Sequence, residues 1–349
     1  MPGTGSAGAA EADGFPGAPN GELDEDVELW GLLYLDPLLE LRFVSSESAR
    51  EELAPGARPP GEALASAALS LSGDAPLRGL LDAAGIGDEF AAAVAAVLTA
   101  PDCRRFLRTA AADTAASLLA RAFVAEATRR RTERNGSAPA FDGTARDGAV
   151  TRIVALLGGD PSDGTGTHRG PVTRRIKRLT GRLALGLASA QAVKRRSALT
   201  DAAHPAAGDV LLYLSRGAAI RETVAAAVRA AEPPVVLLAH SLGGIASLDL
   251  LVLRELPEVE LLVTVGSQAP FLYELGALPS LEHGSPLPPH VPRWLNVYDR
   301  RDLLSYVGAG IFPGRVDDVA VDSRQPFPLS HSAYWSNPEL YRLLAAELP

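Results

Sequence analysis

The chain has a single cysteine in 349 residues, Cys103, so no intramolecular disulfide can form. That usage fits a reducing compartment. A secretory leader is also missing: Met1 to Asn20 is Gly, Ala and Pro with acidic residues, without a basic start or an apolar core. No uninterrupted apolar run approaches the ~18 residues of a membrane span. There is no cationic excess either. The formal net charge is −9, which favours solubility and argues against generic binding to nucleic acid. No internal repeat is visible. Together these absences predict a soluble, cytoplasmic protein. What is plentiful is apolar side chain, 47% of residues, enough for a sizeable core in one large or two ordinary domains.

One stretch organises the rest: Pro233-Pro234-Val235-Val236-Leu237-Leu238-Ala239-His240-Ser241-Leu242-Gly243-Gly244-Ile245. An unbroken apolar run bounded by turn signals fits a strand covered on both faces. Ile245 to Glu255 then reads as a helix. A serine at the apex of a strand–turn–helix resembles the nucleophile elbow of the α/β-hydrolases. The small residues Ala239 and Gly243 flank it, and bulkier side chains are expected to clash at both. The plain alternative makes Ser241 a helix N-cap. The small-x-Ser-x-Gly pattern occurs once, in the context that an elbow requires.

Along the chain, residues 1–22 read as disordered. Residues 22–53 are acidic but carry Leu29, Trp30, Leu33, Leu41 and Phe43, so they pack against something. Helical patterns follow at about 62–71, 76–84, 88–99, 102–133 and 146–157. Residues 171–199 read as a long helix with an apolar stripe (Val172, Ile176, Leu179, Leu183, Leu187) and a basic remainder that includes Arg174, Arg178 and Arg182. It is either a solvated face or a surface that meets anionic membrane. From residue 209 strands and helices alternate. Asp209–Leu214, the elbow strand, Leu261–Val265, Trp294–Tyr298 and Val316–Val321 read as strands. Residues 217–231 and 337–348 read as helices, the latter capped by Asn337. The pattern predicts an α/β fold with a doubly wound, mostly parallel sheet and a largely helical N-terminal half. The organisation is then a tail (1–22), a helical region (23–208) and a core (209–349).

A serine hydroxyl needs a base, and the base needs an acidic orienter. In α/β-hydrolases the chain order is Ser, acid, His. His168, His204 and His240 do not follow Ser241, and His283 and His290 precede the acid candidates. His331 remains, just before the closing helix. Asp299 and Asp302 both follow the strand 294–298, with Asp317, Asp318 and Asp322 as weaker rivals. Asp302 is preferred because it precedes Leu303-Leu304, a context that resembles the Asp-x-Val-Pro of lipase acids. Asp299 is better placed to close the turn through an Asx hydrogen bond.

His240-Ser241-Leu242-Gly243-Gly244, Thr264-Val-Gly266-Ser267-Gln268-Ala-Pro270, Asn296-Val-Tyr-Asp299-x-x-Asp302 and Ser330-His331-Ser332-Ala-Tyr-Trp335 resemble α/β-hydrolases of the lipase/esterase type. The nearest likeness is to bacterial relatives of the GPI-inositol-deacylase and lipase branch, over about residues 205–349. The resemblance implies hydrolysis of a small-molecule or lipid carboxylic ester by Ser241, Asp302 and His331 through an acyl-enzyme. The Leu242 amide would serve the oxyanion hole, with no metal or organic cofactor. One departure stands out. The family opens with further strands and a His-Gly segment that gives a second oxyanion donor, and no His-Gly dipeptide follows a strand in residues 1–208. A degenerate hydrolase acting as an interaction protein is therefore the competing expectation. Acyl transfer to an acceptor other than water would use the same residues.

Overall fold

The computed structural model describes residues 21–48, 61–110, 112–136, 138–160 and 208–348. The basic helix expected at 171–199 and the first twenty residues lie outside this set. Of the tail expected at 1–22, only Gly21 and Glu22 are described, and they open a helix.

Eight helices form the N-terminal half among the described residues: α1 (Gly21–Leu35), α2 (Leu39–Ser48), α3 (Gly61–Ser70), α4 (Ala75–Ala83), α5 (Gly87–Thr99), α6 (Pro101–Thr109), α7 (Ala112–Asn135) and α8 (Gly143–Leu156). Two starts are fixed by side-chain caps, Asp74 accepting from the Leu77 amide at 2.8 Å and Asp142 from the Ala145 amide at 2.9 Å. α7 is buried on nearly every side from Ala115 to Thr128, which makes it the axis of the bundle. Its one buried arginine, Arg121, is held bidentately by Glu40 of α2 at 2.8 and 2.9 Å. The single helix expected over 102–133 is in fact two. α6 buries Cys103 and Phe106 against α2 and α3, and the chain turns at Ala110, whose backbone is extended, before α7 begins.

The strand expected at Asp209–Leu214 is also a helix. Residues 208–216 (α9) are helical and precede α10 (Ala218–Ala230). Val210, Tyr213 and Leu214 face the core at helical spacing, while Leu211 and Leu212 are exposed. A short apolar run does not by itself distinguish the two periods. The buried Tyr213 hydroxyl donates to the fully buried Asp249 at 2.7 Å.

Four strands follow: β1 (Val235–His240), β2 (Val259–Val265), β3 (Arg293–Tyr298) and β4 (Val316–Ala320). All neighbours are parallel, in the order β1-β2-β3-β4. The mostly parallel sheet expected from the sequence is thus present, and it is all-parallel among the described residues. The strand order never reverses among the described residues, so the intervening elements stack on one face. That face carries α11 (Leu242–Leu253), α12 (Ala269–Glu274) and Phe312, packed with α9 and α10 on Leu262, Trp294 and Val316. The other face, Leu261, Val263, Val265, Leu295 and Val297, is covered by the chain's end: Tyr334 and α14 (Pro338–Glu347) with Leu340 and Leu344. The cap of α14 is Asn337, accepting from the Glu339 amide at 2.9 Å. β1 has β2 as its sole strand neighbour among the described residues.

The helical half grips the segment that leads to the last helices. Gly143 donates its amide to the Ser323 carbonyl at 2.7 Å, Arg146 donates to the Arg324 carbonyl at 2.9 Å, and Tyr34 donates to Gln325 at 3.1 Å. Leu329 is buried in the helical core, two residues before His331. Among the described residues no helix is long and apolar enough to cross a membrane.

Candidate active site

β1 ends at His240 and α11 starts at Leu242, leaving one residue for the turn. Ser241 occupies it with φ 52° and ψ −123°. A non-glycine residue there costs on the order of 1–3 kcal/mol and persists where its surroundings over-determine it. The Ser241 amide donates to the Val265 carbonyl at 3.0 Å, its carbonyl accepts from the Gly244 amide at 2.9 Å, and the Ser267 hydroxyl reaches the same carbonyl at 3.2 Å. The crowding expected at Gly243 falls one residue later. A Cβ at Gly243 would meet nothing nearer than the Ala239 methyl at 3.8 Å, an ordinary contact. At Gly244 it would lie 2.5 Å from the Ser267 hydroxyl oxygen and 2.7 Å from its Cβ. The helix packs closest to the β2 loop at Gly244, and that is where the missing side chain matters.

His331 sits in the one-turn helix α13 (Leu329–Ser332). Its Nε2 is 3.0 Å from Ser241 Oγ, and its Nδ1 is 2.8 Å from Oδ2 of Asp302. A carboxylate only accepts, so the proton lies on Nδ1 and the Nε2 lone pair faces the serine hydroxyl. Asp302 is almost wholly buried and its other oxygen takes the Leu304 amide at 2.9 Å. Asp299 does not reach the imidazole. Its Oδ1 closes the turn by accepting from the Arg301 amide at 2.8 Å, and Oδ2 accepts from the Ser323 amide at 2.8 Å. Burial raises its carboxyl above the usual range. Asp317 and Asp322 pair at the surface with Arg293 and Arg301.

The loop that carries Asp302 is fixed from below by a largely buried polar ladder across three strands. The Trp294 indole donates to Thr264 Oγ1 at 2.7 Å, Thr264 donates to Asn296 at 2.7 Å, and the Asn296 amide donates to Asp318 at 2.7 Å and to the Tyr306 carbonyl at 2.8 Å. Asp318 then accepts from the amides of Gly308 and Ala309 at 2.9 and 2.7 Å. Every member is paired, which is what lets such a network define one loop geometry.

No protein-family model matches the chain, and neither a curated protein nor a solved structure does.

Sequence reasoning assigned no role to Tyr334 or His240. The Tyr334 hydroxyl donates to Asp302 Oδ2 at 2.9 Å and accepts from the Asp299 amide at 2.9 Å. Burial and the neighbouring Asp302 push its ionisation far up, so it stays a donor. Its place three residues after His331 was the available signal. Gly266 (φ 59°) admits this packing: a Cβ there would lie 2.8 Å from the Tyr334 ring and 3.0 Å from Asp302 Oδ2. The Leu242 amide, at the start of α11, has no acceptor among the described residues. Leu303, Val307 and Trp335 expose apolar surface on the segments around Asp302 and His331. Among the described residues no group of three or more His, Cys, Asp or Glu side chains is placed to hold a metal ion.

Proposed function

We propose that the protein is a serine hydrolase of the α/β-hydrolase kind that cleaves a carboxylic ester through an acyl-enzyme. The observation that carries this reading is the continuous hydrogen-bond chain Ser241–His331–Asp302 on a strained strand-to-helix turn at the carboxyl edge of a parallel sheet. Ser241 Oγ attacks the ester carbonyl carbon while Nε2 of His331 takes the hydroxyl proton. The carbonyl electrons move onto oxygen, where the Leu242 amide and the positive end of α11 favour the negative charge. Collapse expels the alcohol, which takes the proton from His331, and water repeats the sequence on acyl-Ser241. Asp302 stabilises the imidazolium and holds its tautomer. The apolar rim of Leu303, Val307 and Trp335 suits an acyl or lipid-like ester. The reading requires no metal or organic cofactor.

A fluorophosphonate probe tests it directly, because such a probe reports an activated serine whatever the substrate. The folded chain should label at Ser241, with labelling and short-chain ester hydrolysis lost in Ser241→Ala and His331→Ala. Asp302→Asn should slow labelling by on the order of 10⁴-fold, since the wrong tautomer then faces Ser241. Asp299→Asn should cost far less than Asp302→Asn, because Asp299 holds loop amides and does not reach the imidazole. A folded protein that takes no label would remove the enzyme reading and leave the interaction-protein reading. Weak turnover, down by about 10²–10³, would match one absent oxyanion donor in place of the His-Gly segment.

A further inference from the structure

We propose that His240 is a positioning residue for His331: it ties the backbone of the base to the strand that carries the nucleophile. This rests on the serine hydrolase reading. α13 is a single turn, so little in its own helix fixes the direction of His331. Beyond the burial of Leu329 in the helical core and the two bonds of the His331 ring, two hydrogen bonds tie this turn to the rest of the chain. The Ser330 hydroxyl donates to the Arg301 carbonyl at 3.0 Å, and His240 Nε2 lies 2.8 Å from the main-chain oxygen of His331. A carbonyl only accepts, so His240 carries its proton on Nε2 and donates. His240 is the residue before Ser241, and β1 holds it in register opposite Val265. One short bond thus spans from the nucleophile's strand to the base's main chain. The two imidazole rings also pack, with centroids 4.7 Å apart at 37°. Tyr334 and Trp335 close on the His240 ring edge-on at 6.0 and 5.7 Å.

Two roles are separable here: filling space with a ring, or donating one hydrogen bond. Burial, and then the charge of His331, lower the tendency of His240 to protonate. A neutral ring is what a site that must form an imidazolium 4.7 Å away requires.

The pair His240→Phe and His240→Gln divides the two roles. Phe keeps an aromatic ring and loses the donor. Gln loses the ring, and its amide nitrogen reaches about as far as Nε2. Fluorophosphonate labelling is resolved into a maximal rate and a probe affinity. His240→Phe should lower the maximal rate by about 10- to 100-fold with affinity unchanged, the size of effect that a small misplacement of a reacting group produces. His240→Gln should recover most of that rate. A second readout does not need Ser241 to react: the downfield Nδ1 proton of His331 in NMR spectra of wild type and both variants. It should persist in His240→Gln and be lost to exchange in His240→Phe. Equal rates and an unchanged proton in His240→Phe would overturn the proposal, as would a His240→Gln variant as impaired as His240→Phe. Should His240→Phe fail to fold, His240→Met serves as the donor-free variant with the same expected loss. If the wild type takes no label the hydrolase reading falls, and the NMR comparison alone decides the role of His240.

Discussion

The hydroxyl of Tyr334 donates to the same oxygen of Asp302, Oδ2, that faces His331 Nδ1, at 2.9 and 2.8 Å respectively. One carboxylate oxygen therefore anchors both the His331 imidazole and a buried phenol. The phenol's own oxygen takes the Asp299 amide. Removing the hydroxyl leaves that amide without an acceptor and Oδ2 with one donor fewer. Tyr334→Phe should lower stability by about 1–3 kcal/mol, the penalty for orphaning a buried polar group. Stripped of one donor, the Asp302 carboxylate is held less firmly, and the His331 imidazole with it. Fluorophosphonate labelling should then slow. An unchanged melting temperature together with an unchanged labelling rate would mean that the hydroxyl does neither.

Gly243 and Gly244 look equivalent in the sequence and are not. Gly243→Ala adds a methyl that fits at ordinary contact distance, while Gly244→Ala drives one into Ser267 at 2.5 Å. Overpacking of this kind costs about 1–3 kcal/mol. Ser267 also holds the Ser241 carbonyl, so the shift reaches Ser241 itself. Thermal melts of the two variants should separate clearly, with slower labelling in Gly244→Ala. Similar melts would show that the α11–β2 packing yields without cost.

The elbow was legible because its parts are adjacent in sequence: a buried run, a lone serine, two glycines, then a helix. His331 was reached from chain order, since it alone among the histidines follows both Ser241 and the acid candidates. Asp302 and Asp299 were separable only in part. Three residues apart after one strand, they differ in which loop amides and side chains face them, a three-dimensional matter. Asp209–Leu214 misled because Val210, Tyr213 and Leu214 bury a helical face while Leu211 and Leu212, between them, complete an apparently continuous apolar run. Tyr334 was present in a quoted motif without a role, because its partner lies 32 residues away in sequence. The ladder Trp294–Thr264–Asn296–Asp318 crosses three strands and has no local signature at all.

His240 also makes the protein's stability depend on pH. Its folded pKa lies below the ordinary value of 6.5, chiefly through burial. The unfolded chain therefore binds the proton first as pH falls, and stability declines with it. The contribution is intact above about 6.5 and is lost progressively below that, down to the folded value. Asp299 acts with the opposite sign. Its folded pKa is raised above 3.8, so what it contributes is present at low pH and fades as pH rises. Unfolding measured in urea at several pH values should show a shallower acid-side slope in His240→Gln than in wild type. Parallel slopes would place the proton uptake elsewhere.

Arg146 joins the two halves of the molecule, and its loss should be felt at both. Its side chain is wholly buried on α8, bonded to Asp147 at 2.8 Å and Asp26 at 3.3 Å, and stacked 4.6 Å over the Trp30 ring. It also donates to the Arg324 carbonyl, and the Arg324 side chain returns to Asp147. Arg324 itself has φ 53°, so this crossing imposes an uncommon backbone on the segment that runs to His331. Arg146→Met keeps much of the volume but leaves Asp147 with Arg324 as its one remaining guanidinium partner, and takes the buried donor away from Asp26 and the Arg324 carbonyl. Breaking a buried pair from one side costs about 3–5 kcal/mol. A drop of that size in urea unfolding is expected. If the helices hold the histidine segment in place, the folded fraction of Arg146→Met should also label more slowly, with affinity for the probe unchanged. Lower stability with a normal labelling rate would make the clamp a matter of stability alone, and normal stability would mean that Asp147 and Asp26 find water or other partners.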